Sequence, residues 1–136
     1  MKKKIAIIGS TGSIGQTTLD IINENKNYYQ IDLLTTNKNF KKIYFQAKKF
    51  KVKNLIIHNL KIFNDKKVFL RKKKINVYRS IHEFKKRYNS KFDYTMCSIT
   101  GLDGLESTLE IINFTKKIAI ANKESIICGW NLIKNK

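Results

Sequence analysis

IAIIGSTGSIGQTT, residues 5–18, carries the reading that decides the fold. Four apolar residues run into Gly9, Gly12 and Gly15, and the mixed stretch behind them has helical character. Strand, glycine-rich turn and helix, in that order, open a βαβ unit whose turn can cradle a phosphate. Each glycine has its own use there. Gly9 makes the tight exit from the strand, Gly12 lets backbone approach a pyrophosphate, and Gly15 lets the helix pack closely on the strand. Ser10, Thr11 and Ser13 add hydroxyl donors between them. The spacing is G-x-x-G-x-x-G rather than the common G-x-G-x-x-G. No Lys-Ser or Lys-Thr pair follows the last glycine, which excludes a Walker A loop.

Working outward from that turn, apolar runs alternate with amphipathic stretches along the whole chain. Lys4 to Ile8 reads as a strand, and 14–25 as a helix with Ile14, Thr18, Ile21 and Ile22 at helical spacing. A strand at 30–35 precedes a helix at 39–50 that sets Ile43, Ala47 and Phe50 on one face. A strand at 54–58, a helix at 60–73 and a short strand at 75–80 come next. Ser80, with Glu83 three residues on, makes a capping box for a helix to Tyr88. FDYTMCSIT (92–100) is a strand, 102–114 a helix, KIAIA (117–121) a strand and 124–133 a last helix. Strands separated by helices predict a Rossmann-like α/β fold, a doubly wound, mostly parallel sheet with helices on both faces. No Pro-, Gly- or Ser-rich linker divides the chain, so 1–136 reads as one domain.

Composition narrows the function classes. With 42% hydrophobic residues the chain can bury a core. No apolar run is long enough to span a membrane, and the apolar stretch behind the basic N-terminus is cut at once by glycines, unlike a signal peptide. The expected compartment is the cytoplasm. A formal net charge of +18 suggests nucleic acid. Yet only Arg71, Arg79 and Arg87 are arginines, the lysines are scattered in twos and threes, and base and phosphate readers lean on guanidinium. No specific nucleic-acid partner is expected. Cys97 and Cys128 stand far apart without ligand spacing, and both read as buried small hydrophobes. His58 and His82 are isolated in sequence.

The end of the second strand bears on the cofactor. An NAD site places an acid there for the ribose 2′-hydroxyl, whereas LLTTNKNF carries none. Lys38 between Asn37 and Asn39 offers a cation and amide donors to a 2′-phosphate, which favours NADP. Near the C-terminus, IAIANKES (118–125) puts Asn122, Lys123, Glu124 and Ser125 just past a strand, where a parallel sheet binds ligands. Lys123 there can hold a phosphate. Equally, Asn122 can be an N-cap with Lys123 and Glu124 as solvated first-turn residues.

GSTGSIG after the first strand, NKN after the second, SITGLDGL (98–105) after a middle one and ANKES after a late one closely resemble one family. It is 1-deoxy-D-xylulose 5-phosphate reductoisomerase, and the resemblance runs the length of the chain. It implies that Thr11, Gly12, Ser13 and Ile14 contact NADPH, with Asn37, Lys38 and Asn39 around its 2′-phosphate. Asn122 and Glu124 would also touch NADPH, and Lys123 would reach the sugar-phosphate substrate. Asn37 stands where the family often has glycine, and asparagine tolerates a left-handed backbone. The family rearranges and reduces 1-deoxy-D-xylulose 5-phosphate to 2-C-methyl-D-erythritol 4-phosphate with NADPH and a Mg or Mn ion, typically as a homodimer.

The ten acids of this chain are dispersed, and the last is Glu124. The resemblance therefore implies the N-terminal, NADPH-binding part, with no catalytic residue or metal site of its own and no turnover without the catalytic part. Two other readings compete. One is the NADP-binding domain of another dehydrogenase, such as a semialdehyde dehydrogenase; the other is a lysine-rich nucleic-acid-binding module. ANKES and TGLDG argue against the former, and the scatter of the lysines against the latter.

Overall fold

Alternation of apolar runs with amphipathic stretches produces six strands and six helices in strict succession. The computed structural model describes all 136 residues. The strands are β1 (Lys3–Ile8), β2 (Tyr29–Thr36), β3 (Asn54–Ile57), β4 (Asn76–Tyr78), β5 (Tyr94–Cys97) and β6 (Ile118–Ile120). The helices are α1 (Ser13–Glu24), α2 (Phe40–Phe50), α3 (Leu60–Lys72), α4 (Ile81–Lys85), α5 (Leu102–Ile111) and α6 (Lys123–Lys134). A 3-10 turn over Ile112–Phe114 closes α5. The strands form one parallel sheet in the order β4-β3-β2-β1-β5-β6. No helix is long and apolar enough to cross a membrane.

A parallel sheet covered on both faces needs strands apolar on both sides, and β1 is such a strand. Ile5 and Ile7 point into a core built with Leu19, Ile22, Ile43, Ala47, Phe63 and Leu70 of α1 to α3. Ala6 and Ile8 point the other way, to Ile81, Phe84, Phe92, Cys97 and Ile111. Between β1 and β2 the register slips, so that Ile5 faces Ile31 but Ala6 faces Leu33. The bulge leaves Asp32 without an opposite residue. Its carboxylate accepts from the Tyr88 hydroxyl at 2.7 Å and from Gln30 Nε2 at 2.7 Å. Asp32 is thus a structural acid, well away from the strand's ligand-binding end.

Three local expectations need correcting. In α1 the buried stripe is Gly15, Leu19 and Ile22, while Ile14 and Ile21 are 39% and 55% exposed. Gly15 has to face the turn before it, and that rotates the stripe. The helix after Ser80 ends at Lys85. The capping box does form, with the Ser80 hydroxyl accepting from the Glu83 N–H at 3.1 Å and Glu83 accepting from the Arg79 N–H at 2.8 Å. Beyond Lys85, Tyr88 and Phe92 stack on Phe84, and this aromatic cluster takes the place of a further turn.

The third correction concerns sulfur. Cys97 is buried on β5, and Cys128 is exposed on α6, which packs through Ser125, Gly129 and Ile133 instead. Burial pushes the Cys97 thiol up to about 11. Titration with a water-soluble disulfide reagent at pH 8 should therefore find one reactive thiol in the native chain and two after denaturation. Two fast thiols in the native chain would contradict this burial.

Candidate functional site

The chain reverses its direction of sheet growth at β1. β2, β3 and β4 extend to one side, then β5 and β6 to the other. Ligands of open parallel sheets bind at the carboxyl edge of such a switch point. Every candidate residue stands along that edge: Thr11–Ile14 after β1, Asn37–Asn39 after β2, and Asn122–Glu124 after β6.

The turn after β1 is held by its neighbours. Gly9 has φ +88, and a Cβ there would lie 2.9 Å from Ile99 Cγ1 and 3.1 Å from Ile99 N. A Cβ on Gly15 would strike the Gly9 carbonyl oxygen and lie 2.6 Å from Ser10 Cα. Gly12 differs, because the nearest atom to a Cβ would be the Gly9 oxygen at 3.7 Å. Gly9 and Gly15 are thus required by the protein itself, while the outer side of Gly12 is open. Ser10 is buried, and its hydroxyl donates to Gln46 Oε1 at 2.8 Å while Gln46 Nε2 donates to its carbonyl at 2.9 Å. The Ser10 hydroxyl therefore turns inward, contrary to the sequence expectation. Thr11 shares a 2.8 Å hydroxyl bond with Thr36, and Ser13 is exposed.

Helix α1 starts without a cap. Side chains of Asn39, Asn59, Ser80 and Asn122 accept the first-turn N–H of α2, α3, α4 and α6 at 3.1 to 3.2 Å. At α1 the capping position is Gly12 and, as at α5 behind Gly101, no side chain caps; the N–H groups of Ser13, Ile14 and Gly15 have no partner outside the helix. Free N–H groups at the positive end of a helix favour an anion.

Past β2, Asn37, Lys38 and Asn39 are all exposed. Asn37 takes no left-handed backbone, and its carbonyl accepts the Asn59 N–H at 3.2 Å. Asn39 caps α2 through Oδ1, and the Lys38 ammonium has no ion pair, the single one being Lys116–Asp93 at 2.7 Å. At the other end of the edge, Asn122 is 4% exposed. Its Nδ2 donates to the carbonyls of Ile99 at 2.8 Å and Gly101 at 2.6 Å, and its Oδ1 caps α6. A Cβ on Gly104 would strike this Nδ2 and the Ile99 carbonyl oxygen. The side chain of Asn122 is a clamp between β6 and the turn after β5. Lys123 is exposed beside it and Glu124 half-buried.

Between the turn and α5 lies a groove of about 340 Å³. Gly9, Thr11, Thr36 and Asn37 line it together with His58, Ile99, Asp103 and Glu106. His58, isolated in sequence, joins the same edge in the fold. It directly follows β3. Desolvation lowers the His58 pKa, partly offset by Asp103 and Glu106 beside it.

The family profile of 1-deoxy-D-xylulose 5-phosphate reductoisomerase matches residues 5–129. The reductoisomerase of Pelagibacter ubique is 53% identical over 134 residues, which are 97% of this chain and 34% of that protein. The enzyme of Zymomonas mobilis is 34% identical over 131 residues, covering 96% of this chain and 34% of its own length. Its solved structure in complex with NADPH superposes with a TM-score of 0.87 at 32% identity, covering 99% of this chain and 36% of that one. A reductoisomerase structure holding NADPH, fosmidomycin and magnesium superposes with a TM-score of 0.79 at 28% identity, over 98% of this chain and 33% of that one. The chain spans about a third of the length of the curated relatives it matches.

Proposed function

The chain belongs to the 1-deoxy-D-xylulose 5-phosphate reductoisomerase family, and from that premise we propose that it is the part that binds and orients NADPH. The observation that carries the reading is the uncapped start of α1, set at the switch point behind a glycine whose outer side is open. The N–H groups there and the Thr11–Ile14 backbone receive the pyrophosphate. Lys38, free of any ion pair, meets the 2′-phosphate between Asn37 and Asn39. Asn122 and Glu124 border the far end of the cofactor's path, Asn122 by holding the turn after β5. Lys123, exposed beside them, reaches for the phosphate of a sugar-phosphate substrate.

NADPH supplies a hydride when bound, and this chain's residues fix the direction from which it is delivered. The complete reaction is the rearrangement and reduction of 1-deoxy-D-xylulose 5-phosphate to 2-C-methyl-D-erythritol 4-phosphate, with Mg or Mn. No group of three His, Cys, Asp or Glu side chains gathers here to hold such an ion. We assign the metal, most of the substrate pocket and the homodimer contacts to the region that makes up the other two thirds of the relatives. Ile127 and Trp130, 77% and 52% exposed on α6, are apolar surface for that region to cover.

Isothermal titration of the chain with NADPH and NADH tests the reading. NADPH should bind the tighter of the two. Lys38→Ala should weaken NADPH about tenfold, the worth of one charge-assisted contact, and leave NADH unchanged. Equal affinity of the unaltered chain for both dinucleotides would overturn it.

A further inference from the structure

The amino edge of the sheet, opposite the glycine turn, holds a cavity of about 720 Å³ that the cofactor reading does not use. It lies between the start of β2 and the C-terminal ends of α1 and α2. Lys2, Lys26, Lys49, Lys51 and Lys53 line it, five cations drawn from three separate segments of the chain. Asp32 is the one acid in the lining, and its two carboxylate oxygens accept from the Tyr88 hydroxyl and Gln30 Nε2. None of the five lysines forms an ion pair. Lys2 donates to the Lys26 carbonyl at 2.7 Å and the Lys49 ammonium lies 5.3 Å from the Phe50 ring centre, while the other three ammonium groups have no partner within the chain. Like charges around one hollow repel one another, and no acid stands between Asp32 and Asp65 to offset them. Lys51 caps α2 with φ +57, in the left-handed region where glycine is the unstrained residue. That position carries an ammonium where glycine would serve the backbone better.

We propose that this cavity binds an oligophosphate, a chain of three or more linked phosphate groups, either free or as the tail of a nucleoside triphosphate. A chain of three phosphates carries about four negative charges at pH 7, which the five ammonium groups match. The side-chain amides of Asn23 and Asn27, in the same lining, add donors for phosphate oxygens. Lysine suits the task, because an ammonium binds phosphate as a point charge and needs no planar partner. The cations surround a single hollow within the size range of small-ligand sites, unlike the groove that tracks a nucleic-acid strand. The site lies at the opposite edge of the sheet from Thr11–Ile14 and Lys38, and it stands apart from the NADPH reading.

The test titrates the chain with inorganic triphosphate, ATP and inorganic phosphate at about 150 mM salt, where diffuse charge effects are screened. Triphosphate should bind at least about tenfold more tightly than phosphate. The triple variant Lys26→Gln, Lys49→Gln, Lys53→Gln should lose about thirtyfold in triphosphate affinity, roughly threefold for each exposed charge contact. A control with the same change in net charge, Lys61→Gln, Lys72→Gln, Lys134→Gln, lies outside the cavity and should stay within about twofold of the unaltered chain. All six lysines are exposed, so both variants keep the fold. An ATP affinity above that of triphosphate, lost in the cavity variant, identifies the nucleotide as the source of the phosphates; otherwise the source is the free chain. Equal losses in the two triple variants would reduce the effect to net charge and overturn the site. So would displacement of triphosphate by NADPH, which would seat it at the glycine turn. Single-stranded DNA of about ten nucleotides, bound more tightly than triphosphate and weakened equally by both variants, would assign the basic surface to nucleic acid instead.

Discussion

Replacing Gly15 with alanine should cost the chain about 3 kcal/mol of folding stability, at the upper end of overpacking penalties. The added methyl would strike the Gly9 carbonyl oxygen and lie 2.6 Å from Ser10 Cα. Both are backbone atoms of a turn that cannot give way. Gly9 donates its N–H to Thr35 Oγ1 at 2.8 Å, and the Ser10 N–H donates to the Thr35 carbonyl at 3.0 Å. Moving α1 outward would also withdraw Leu19 and Ile22 from the core. The melting temperature should fall by about 12 °C for a domain of this size. Gly12→Ala is the matched control. Its Cβ meets nothing closer than 3.7 Å, and stability should stay within about 0.5 kcal/mol. Equal melting temperatures for the two variants, followed by circular dichroism, would refute this division of roles within GSTGSIG.

Asn122→Asp should be nearly as damaging, although it changes one atom. The carbonyls of Ile99 and Gly101, at 2.8 and 2.6 Å, would lose their donor and face a carboxylate oxygen in a buried place. Leaving such groups unsatisfied and opposing a charge costs about 3 kcal/mol at pH 7. The cap on α6 is retained, because aspartate accepts the Ser125 N–H as asparagine does. The loss therefore measures the clamp alone. Its pH dependence follows from the same geometry. Two carbonyls facing the carboxyl favour its protonated form in the folded state, so its folded pKa rises above the unfolded value of about 3.9. The folded state then binds the extra proton, and the deficit should shrink as pH falls from 7 toward 4. Denaturant midpoints measured across that range decide the matter; a deficit that grows on acidification would exclude the clamp.

The Asn122 clamp ties two separated motifs of the chain to each other. SITGLDGL and ANKES lie about twenty residues apart, yet Gly104 is small because Asn122 reaches over it to Ile99 and Gly101. Gly129 is small because Leu105 fills the space beside it. The order of elements was legible from periodicity, because an apolar strand and an amphipathic helix each announce themselves locally. The turn after β1 was legible for the same reason, since strand, glycines and helix are contiguous. The direction of individual side chains was not. Ser10 belongs to the turn in sequence but to Gln46 in space, and Cys128 sits in an apolar run on the outward side of α6. The α1 stripe shifted to Gly15, Leu19 and Ile22 because the turn before it dictates which face is inward.

From the sequence alone came the α/β class, the βαβ opening and the kinship with the reductoisomerases. Those rest on contiguous patterns and short strings, which a one-dimensional reading resolves. Only the tertiary structure brought β5 in beside β1, so that Ile99 and Ser98 close on Gly9, and set His58, Asp103 and Glu106 around one groove. Those residues come from the ends of separate strands and from a helix far along the chain. Burial of both faces of the sheet fixes their distances, and no local pattern records it.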